Sequence, residues 1–497
     1  MSETPAVLRH SAVYAFGAVL NRGAGFILLP LYTRYLNPSD YGILGVVAIT
    51  SEVVGAVIGV KLGTAMSRLF FDYHDEKERA ELVSTAIVGM GSIVAVFSVI
   101  LALAADPLAG ILLADRNQGD LLFLGVAGLL LNIIFSLGLQ YLIILKRSDV
   151  VLVVSTIRSV LYLGLGALFI APLGMGVFGA LLAILLANAL SVAGLILPLL
   201  ARLGVYFSKA RFVSMLQFGA PLLPGQMGEL LVKFADRYLL VQFGSLAASG
   251  IFFLGLRLSS ILQMALVSPF NQIYIVRRFE AHGRNEDDSE GSRVFTYFFA
   301  VLVSGALGLS LLAPQLLALI AFKRPEYHGA AAIIPLLAVA EVVRSLLLIV
   351  ELGIFYAKRP GSLTAASLAG LAVHLPLTGL LIAMFGVAGA AGALVLSTTF
   401  RLAVTWWLAR GLNGPQPQWG YLLVVFSAGV SAYGTAWAVE LALGATSGAV
   451  ARLCLAGAFP LLLLMSPIFS DQEREAARGA VAARFRRMNN RTVRVAP

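Results

Sequence analysis

Residues Pro221–Leu240 read PLLPGQMGELLVKFADRYLL, a stretch apolar enough to enter a membrane that still carries Glu229, Lys233, Asp236 and Arg237. Gln226, Glu229, Lys233 and Asp236 or Arg237 follow one another at spacings of three or four, so a helix puts them on one face. Pro221 and Pro224 stand near its start, where a first-turn proline is tolerated and a deeper one bends the axis. A charge at the bilayer centre costs roughly 2.5–3.5 kcal/mol on insertion scales. The charged face is therefore expected to look into protein or water.

The rest of the chain is of the same kind. Its 497 residues are 59% hydrophobic and 12% charged, against about 25% charged in an average soluble domain. The apolar residues come in long blocks, which makes this an all-α polytopic membrane protein. About fourteen spans are expected, near 11–33, 41–62, 82–105, 120–145, 149–171, 176–201, 212–240, 246–272, 293–321, 330–356, 361–385, 386–410, 419–442 and 447–469.

The formal charge of +10 does not indicate nucleic acid, because the cations gather in short loops between apolar blocks. Even-numbered loops hold Lys61, Arg68, Lys77 and Arg79, then Lys146 and Arg147, then Arg202, Lys209 and Arg211, and so on to a basic tail after Asp471. The positive-inside rule then makes both termini cytoplasmic, and the tail reads as an orientation signal or a segment lying on anionic headgroups. Odd loops are poor in cations, with Arg34, Arg116, Lys323 and Arg324 as exceptions. Cys454 is the only cysteine, which excludes an internal disulfide and a cysteine metal cluster. The start of the chain lacks a cleavable-signal pattern, so the first apolar block is expected to stay as an anchor.

Three short sequences recur in order. Arg34-Tyr35-Leu36 returns as Arg237-Tyr238-Leu239, Lys146-Arg147 as Lys358-Arg359, and Gly176-Val177-Phe178-Gly179-Ala180 as Gly386-Val387-Ala388-Gly389-Ala390, at offsets of 203, 212 and 210 residues. Six spans separate the members of each pair, so the repeat is parallel, related by an axis along the membrane normal. It predicts two six-helix lobes, 1–205 and 206–412, around a central cavity, followed by two further helices in 413–470 and the tail 471–497.

With these elements in place, Pro30–Gly45 (PLYTRYLNPSDYGILG), Phe218–Pro224 (FGAPLLP) with Asp236–Leu240 (DRYLL), and the two G-V-x-G-A helix starts resemble bacterial polysaccharide-transport (Wzx-type) flippases of the multidrug/oligosaccharidyl-lipid/polysaccharide exporter superfamily. The resemblance covers about residues 10–410. It implies translocation of undecaprenyl-pyrophosphate-linked oligosaccharide between leaflets, and a V-shaped cavity lined by helices 1, 2, 7 and 8. In related peptidoglycan-precursor flippases those helices present arginines to the lipid pyrophosphate. Arg22 and Arg257 match that placement and Lys233 adds a cation, whereas Glu52 on the second span departs from it.

Arg22, Lys233 and Arg257 are accordingly the candidate substrate-binding residues, because a guanidinium can give a phosphate two hydrogen bonds at once. Lys233 can equally pair with Glu229 one turn earlier. Glu52 and Glu229 are candidate coupling residues, Asp236 and Arg237 read as a structural pair or gate, and Glu341 with Arg344 as a second coupling site or an internal ion pair. Arg158, His374 and Arg401 are expected only to pack or make interface contacts. No Walker motif, metal-ligand cluster or serine elbow is present, so no enzyme, cofactor or metal is expected. Expected partners are the lipid-linked oligosaccharide, membrane lipids and a polysaccharide polymerase, with the chain working as a monomer. The alternatives are a multidrug or cation antiporter of the same superfamily, and a membrane-embedded polymerase or glycosyltransferase.

Overall fold

The structure, a computed structural model, describes residues 25–284, 289–321, 324–412 and 414–466. Arg22, Lys323 and the basic tail lie outside the described residues, as does the start of the first span. Among the described residues every long element is helical: α1 (Leu29–Tyr35), α2 (Pro38–Gly59), α3 (Leu62–Phe70), α4 (Glu76–Leu112), α5 (Gly119–Ile144), α6 (Ser148–Ile170) and α7 (Gly176–Leu203) come first. Then follow α8 (Lys209–Gly219), α9 (Leu223–Phe243), α10 (Leu246–Leu262), α11 (Ser268–Gly283), α12 (Ser289–Ile320), α13 (Gly329–Tyr356), α14 (Pro360–Ala409) and α15 (Trp419–Met465).

Eleven helices among the described residues are long and apolar enough to cross a membrane, with α10 and α11 forming one span through a π turn. α14 counts once among them, yet Gly386 breaks it into two arms at φ 58° and ψ −131°. Adding α9, whose charges set it apart, brings the described spans to thirteen of the expected fourteen, the first lying largely outside the described residues. The seventh span differs in one respect from 212–240. An amphipathic α8 ends at Gly219, a single 3-10 turn holds Pro221, and α9 then runs to Phe243. Proline lacks the N–H that a continuous helix would use there.

The signature at Pro30–Gly45 resolves into separate physical roles. Asn37 caps α2 by accepting the Asp40 N–H at 2.8 Å, and the Asp40 carboxylate accepts the Asn37 N–H at 3.3 Å. Pro38 occupies the first turn, where its missing N–H is harmless. Thr33 donates to the Ile320 carbonyl at 2.7 Å, and the Leu36 carbonyl accepts from Arg324 at 3.1 Å and Tyr327 at 3.0 Å. Gly42 and Gly250 let α2 and α10 cross with their backbones in contact. A side-chain carbon on Gly42 would collide with the Leu246 carbonyl, and one on Gly250 with that of Pro38. Such small-residue crossings are a main source of helix association where lipid removes the hydrophobic driving force.

The sequence repeat is also a conformational one. Lys146 and Lys358 both take left-handed backbone, at φ 57° and 54°, and Gly176 and Gly386 do so at φ 57° and 58°. Arg147 N–H reaches back to the Leu142 carbonyl at 2.9 Å, and Arg359 N–H to that of Ile354 at 3.1 Å, closing the same type of helix end.

Tertiary contacts divide the chain into two compact units. One comprises Met1–Leu258, Gln315–Leu336 and Pro360–Val404, and the other Ser259–Pro314, Leu337–Arg359 and Thr405–Pro497. The first contains the crossing just described. The second is built on stacked rings, with Phe270 against Phe298 at 3.8 Å and against Tyr274 at 4.8 Å, and on a hydrogen bond from Thr296 to Gln418 at 2.9 Å.

Replacing Gly250 by leucine forces α10 off α2, and overpacking of this kind costs about 1–3 kcal/mol. Gly250→Leu is expected to lower the thermal unfolding midpoint of the detergent-solubilised protein markedly, and Gly308→Leu, where nothing lies within 4 Å of the added carbon, to leave it close to wild type.

Candidate functional site

α9 places Asp236 and Arg237 on its buried side and Lys233 on its exposed side. Asp236 is 2% exposed, and its Oδ1 lies 2.8 Å from Nε2 of His374, a fully buried residue of α14. The two side chains share this hydrogen bond, and Nδ1 of His374 faces Ser397 Oγ at 2.8 Å. Thr378 completes the surround, with Oγ1 at 3.3 Å from the ring. The bonded partner of Asp236 is therefore not a neighbour on its own helix but His374, 138 residues further along the chain. His374, expected to pack or make interface contacts, makes a specific one: it holds the one carboxylate that α9 buries among its described side chains.

Arg237 lies beside Asp236 in sequence, but its guanidinium sits over the Phe253 ring at 4.9 Å, within electrostatic reach of Glu52, Asp236, Tyr41 and Arg257. Its Nε is buried without a hydrogen-bond partner among the described residues. Arg257 of α10 stands over Phe26 at 4.9 Å. Three phenols surround this pair of cations: Tyr32 and Tyr162 share a hydroxyl hydrogen bond of 2.8 Å, and Tyr41 rests on Phe253 at 5.0 Å. All of these residues belong to the first unit.

The remaining predicted residues fall elsewhere. Glu52 is exposed on α2, a helix of membrane-spanning composition, and lines a cavity of about 520 Å³ with Lys61, Thr64, Ser136 and Gln140. Glu229 is on α9, but its side chain lies outside the described set, so its pairing with Lys233 does too. Glu341 and Arg344 form the internal pair, at 3.1 Å, in the second unit. Arg158 is bonded to Asn132 and stacked over Phe135. Among the described residues no group of three or more His, Cys, Asp or Glu side chains could hold a metal ion.

Sequence reading named His374 without its partner, and missed the Tyr32–Tyr162 pair and the Glu52 cavity. The one available signal was His374 itself: an ionisable residue inside an apolar span marks a functional or partnered position by default. Its partner is distant in sequence, so spacing within a helix does not reveal it.

A family model described as polysaccharide biosynthesis protein matches residues 7–275 of the chain. A search of curated proteins returns no match. Among solved structures, the chain resembles the lipid II flippase MurJ in an inward closed conformation, at 10% identity and a TM-score of 0.69, over 92% of this chain and 100% of that one. An inward-facing multidrug resistance MATE family transporter of the MOP superfamily matches at 14% identity and a TM-score of 0.66, over 78% of this chain and 94% of that one. A MOP superfamily transporter from Pyrococcus furiosus matches at 14% identity and a TM-score of 0.53, over 81% of this chain and 95% of that one. At these identities the likeness is one of fold. Family and fold together indicate a multi-pass membrane protein of the polysaccharide biosynthesis protein family.

Removing one side chain of a buried hydrogen-bonded pair costs about 1–3 kcal/mol, because the survivor is left unsatisfied. His374→Ala and Asp236→Asn are each expected to lower the unfolding midpoint, and the double variant to lose less than the sum. Strict additivity in that cycle would mean the two side chains are not coupled.

Proposed function

Since the chain belongs to the polysaccharide biosynthesis protein family, we propose that it is a flippase that carries undecaprenyl-pyrophosphate-linked oligosaccharide from the cytoplasmic to the outer leaflet of the bacterial inner membrane. The observation that carries this reading is the pair of arginines, Arg237 and Arg257, set among Tyr32, Tyr41 and Tyr162, with Arg257, Tyr41 and Tyr162 on helices of membrane-spanning composition. Cations at that depth are expensive and are retained where an anion must pass. A pyrophosphate is such an anion, and arginine meets its oxygens with paired hydrogen bonds.

Arg257 is the leading phosphate contact, with Arg22 of the first span as its companion. Phenol hydroxyls from Tyr32 and Tyr162 add donors that do not fix a second charge. Several moderate contacts suit a transporter better than one tight clamp, since a ligand bound equally in both access states shifts neither. The lobes 1–205 and 206–412 are the bodies whose rocking alternates access, and Asp236–His374, both within the second lobe, ties α9 to α14 so that the two move together. Glu52 and Glu229 serve coupling, and Glu341–Arg344 acts as a structural pair. The loop cations set both termini in the cytoplasm.

A deletion strain is expected to lose its surface polysaccharide and to retain lipid-linked oligosaccharide on the cytoplasmic leaflet. Each charge-assisted hydrogen bond removed is worth about 1.5–3 kcal/mol, so Arg257→Ala at normal membrane levels should cut complementation at least about tenfold. Unchanged polysaccharide together with new drug sensitivity would instead identify a multidrug antiporter.

A further inference from the structure

Span two is broken where no glycine or proline stands. α2 ends at Gly59, Val60 and Lys61 follow at φ 40° and 52°, and α3 resumes at Leu62. Left-handed backbone costs an L residue roughly 1–2 kcal/mol, and for a β-branched residue it is a genuine outlier. Strain of this kind persists only where the surroundings impose it, and it gathers at ligand sites and switches. Here the brace is Gly219 at the end of α8, whose bare Cα presses on the Val60 carbonyl so closely that a side chain would collide.

The break opens the 520 Å³ cavity, which falls within the roughly 300–1,000 Å³ typical of small-molecule sites. Glu52, Lys61 and Thr64 are exposed into it from α2 and α3, and Ser136 and Gln140 face them from α5. Gly55 and Gly59 leave room, since an added carbon at either would meet Ile133 only at 3.6 and 3.7 Å. An exposed carboxylate on a span of this hydropathy must look into water rather than lipid.

We propose that this cavity is the glycan subsite of the transporter, holding sugar units of the cargo while the pyrophosphate lies on the arginines. The assignment rests on the flippase reading above. The lining chemistry selects among the three parts of such a cargo. Glu52 and Lys61 cancel in charge, so a pyrophosphate would meet a carboxylate with one cation to offset it. A polyprenyl chain would have to desolvate Glu52, Lys61 and Gln140 without giving any of them a hydrogen bond. Sugar hydroxyls suit all of these groups, because they donate to the Glu52 carboxylate and accept from the Lys61 ammonium. Gln140 is already oriented to receive a hydroxyl. Its Nε2 donates to Ser67 Oγ at 2.8 Å, which directs its carbonyl oxygen as an acceptor for a ligand. The loop cations put the Lys61 end of the cavity on the cytoplasmic side, where a lipid-linked glycan is made and first presents its sugars.

The test uses the full chain in nanodiscs and two probes, undecaprenyl pyrophosphate and the undecaprenyl-pyrophosphate-linked oligosaccharide extracted from the deletion strain, titrated by native mass spectrometry. Gly55→Leu fills the cavity and Gln140→Ala removes its oriented acceptor. Both are expected to weaken the oligosaccharide-bearing probe by about fivefold or more and to leave undecaprenyl pyrophosphate binding as in wild type, whereas Arg257→Ala weakens both probes. Equal loss of the two probes in the cavity variants, or no loss of either, would overturn the glycan subsite while leaving the flippase reading in place. A wild-type protein that binds neither probe would remove the flippase reading and the subsite with it.

Discussion

A carboxylate at the depth of Asp236 is tolerable only with a partner, and His374 supplies it. Lipid offers no hydrogen bonds, so each polar group that folding carries into the membrane must find its match inside the protein. For Asp236 that requirement joins α9 to α14 at a fixed height, 2.8 Å from carboxylate to ring. Arg237 next to it turns instead to the Phe253 ring on α10, where Glu52, Tyr41 and Arg257 share its field. One satisfied pair thus fixes the rotation of α9, and with it which of its charges are buried and which, as for Lys233, are exposed.

The need to satisfy and pack a backbone within lipid also explains the sequence signature between Pro30 and Gly45. None of its residues needs to touch cargo to be required. Asn37, Pro38 and Asp40 start α2, Thr33 and Leu36 tie the preceding turn to Ile320, Arg324 and Tyr327, and Gly42 admits the α10 backbone. The motif that marks the family is largely a joint. It holds α2 against α10 so that Glu52 and Arg257, which the motif does not contain, come to their places.

Much of the architecture was legible in the chain. The fourteen spans follow from block length and hydropathy, since a hydrocarbon layer of fixed thickness demands about 20 apolar residues per crossing. The repeat was legible too, and the left-handed Lys146 and Lys358 show that its short matches stand at equivalent helix ends. The candidate site was legible in part. Arg257 and Glu52 stand out because a charge inside an apolar block is conspicuous. The Tyr32–Tyr162 pair does not, since tyrosines in such blocks are ordinary and only packing brings these two hydroxyls within 2.8 Å.

By itself, the sequence determined that the chain crosses a membrane many times, that short motifs recur along it in order, and that a few charges lie where lipid cannot accept them. These are matters of composition and period, which each segment carries alone. Which charge meets which was decided only in three dimensions. Adjacency made Arg237 the natural companion of Asp236, yet neighbours in a helix point about 100° apart, and the acid found His374 on another helix. Likewise, the sequence ends the second span near residue 62 but does not announce the left-handed turn at Val60 and Lys61. Gly219 of a different helix packs directly on that turn, and the cavity beside Glu52 lies against it.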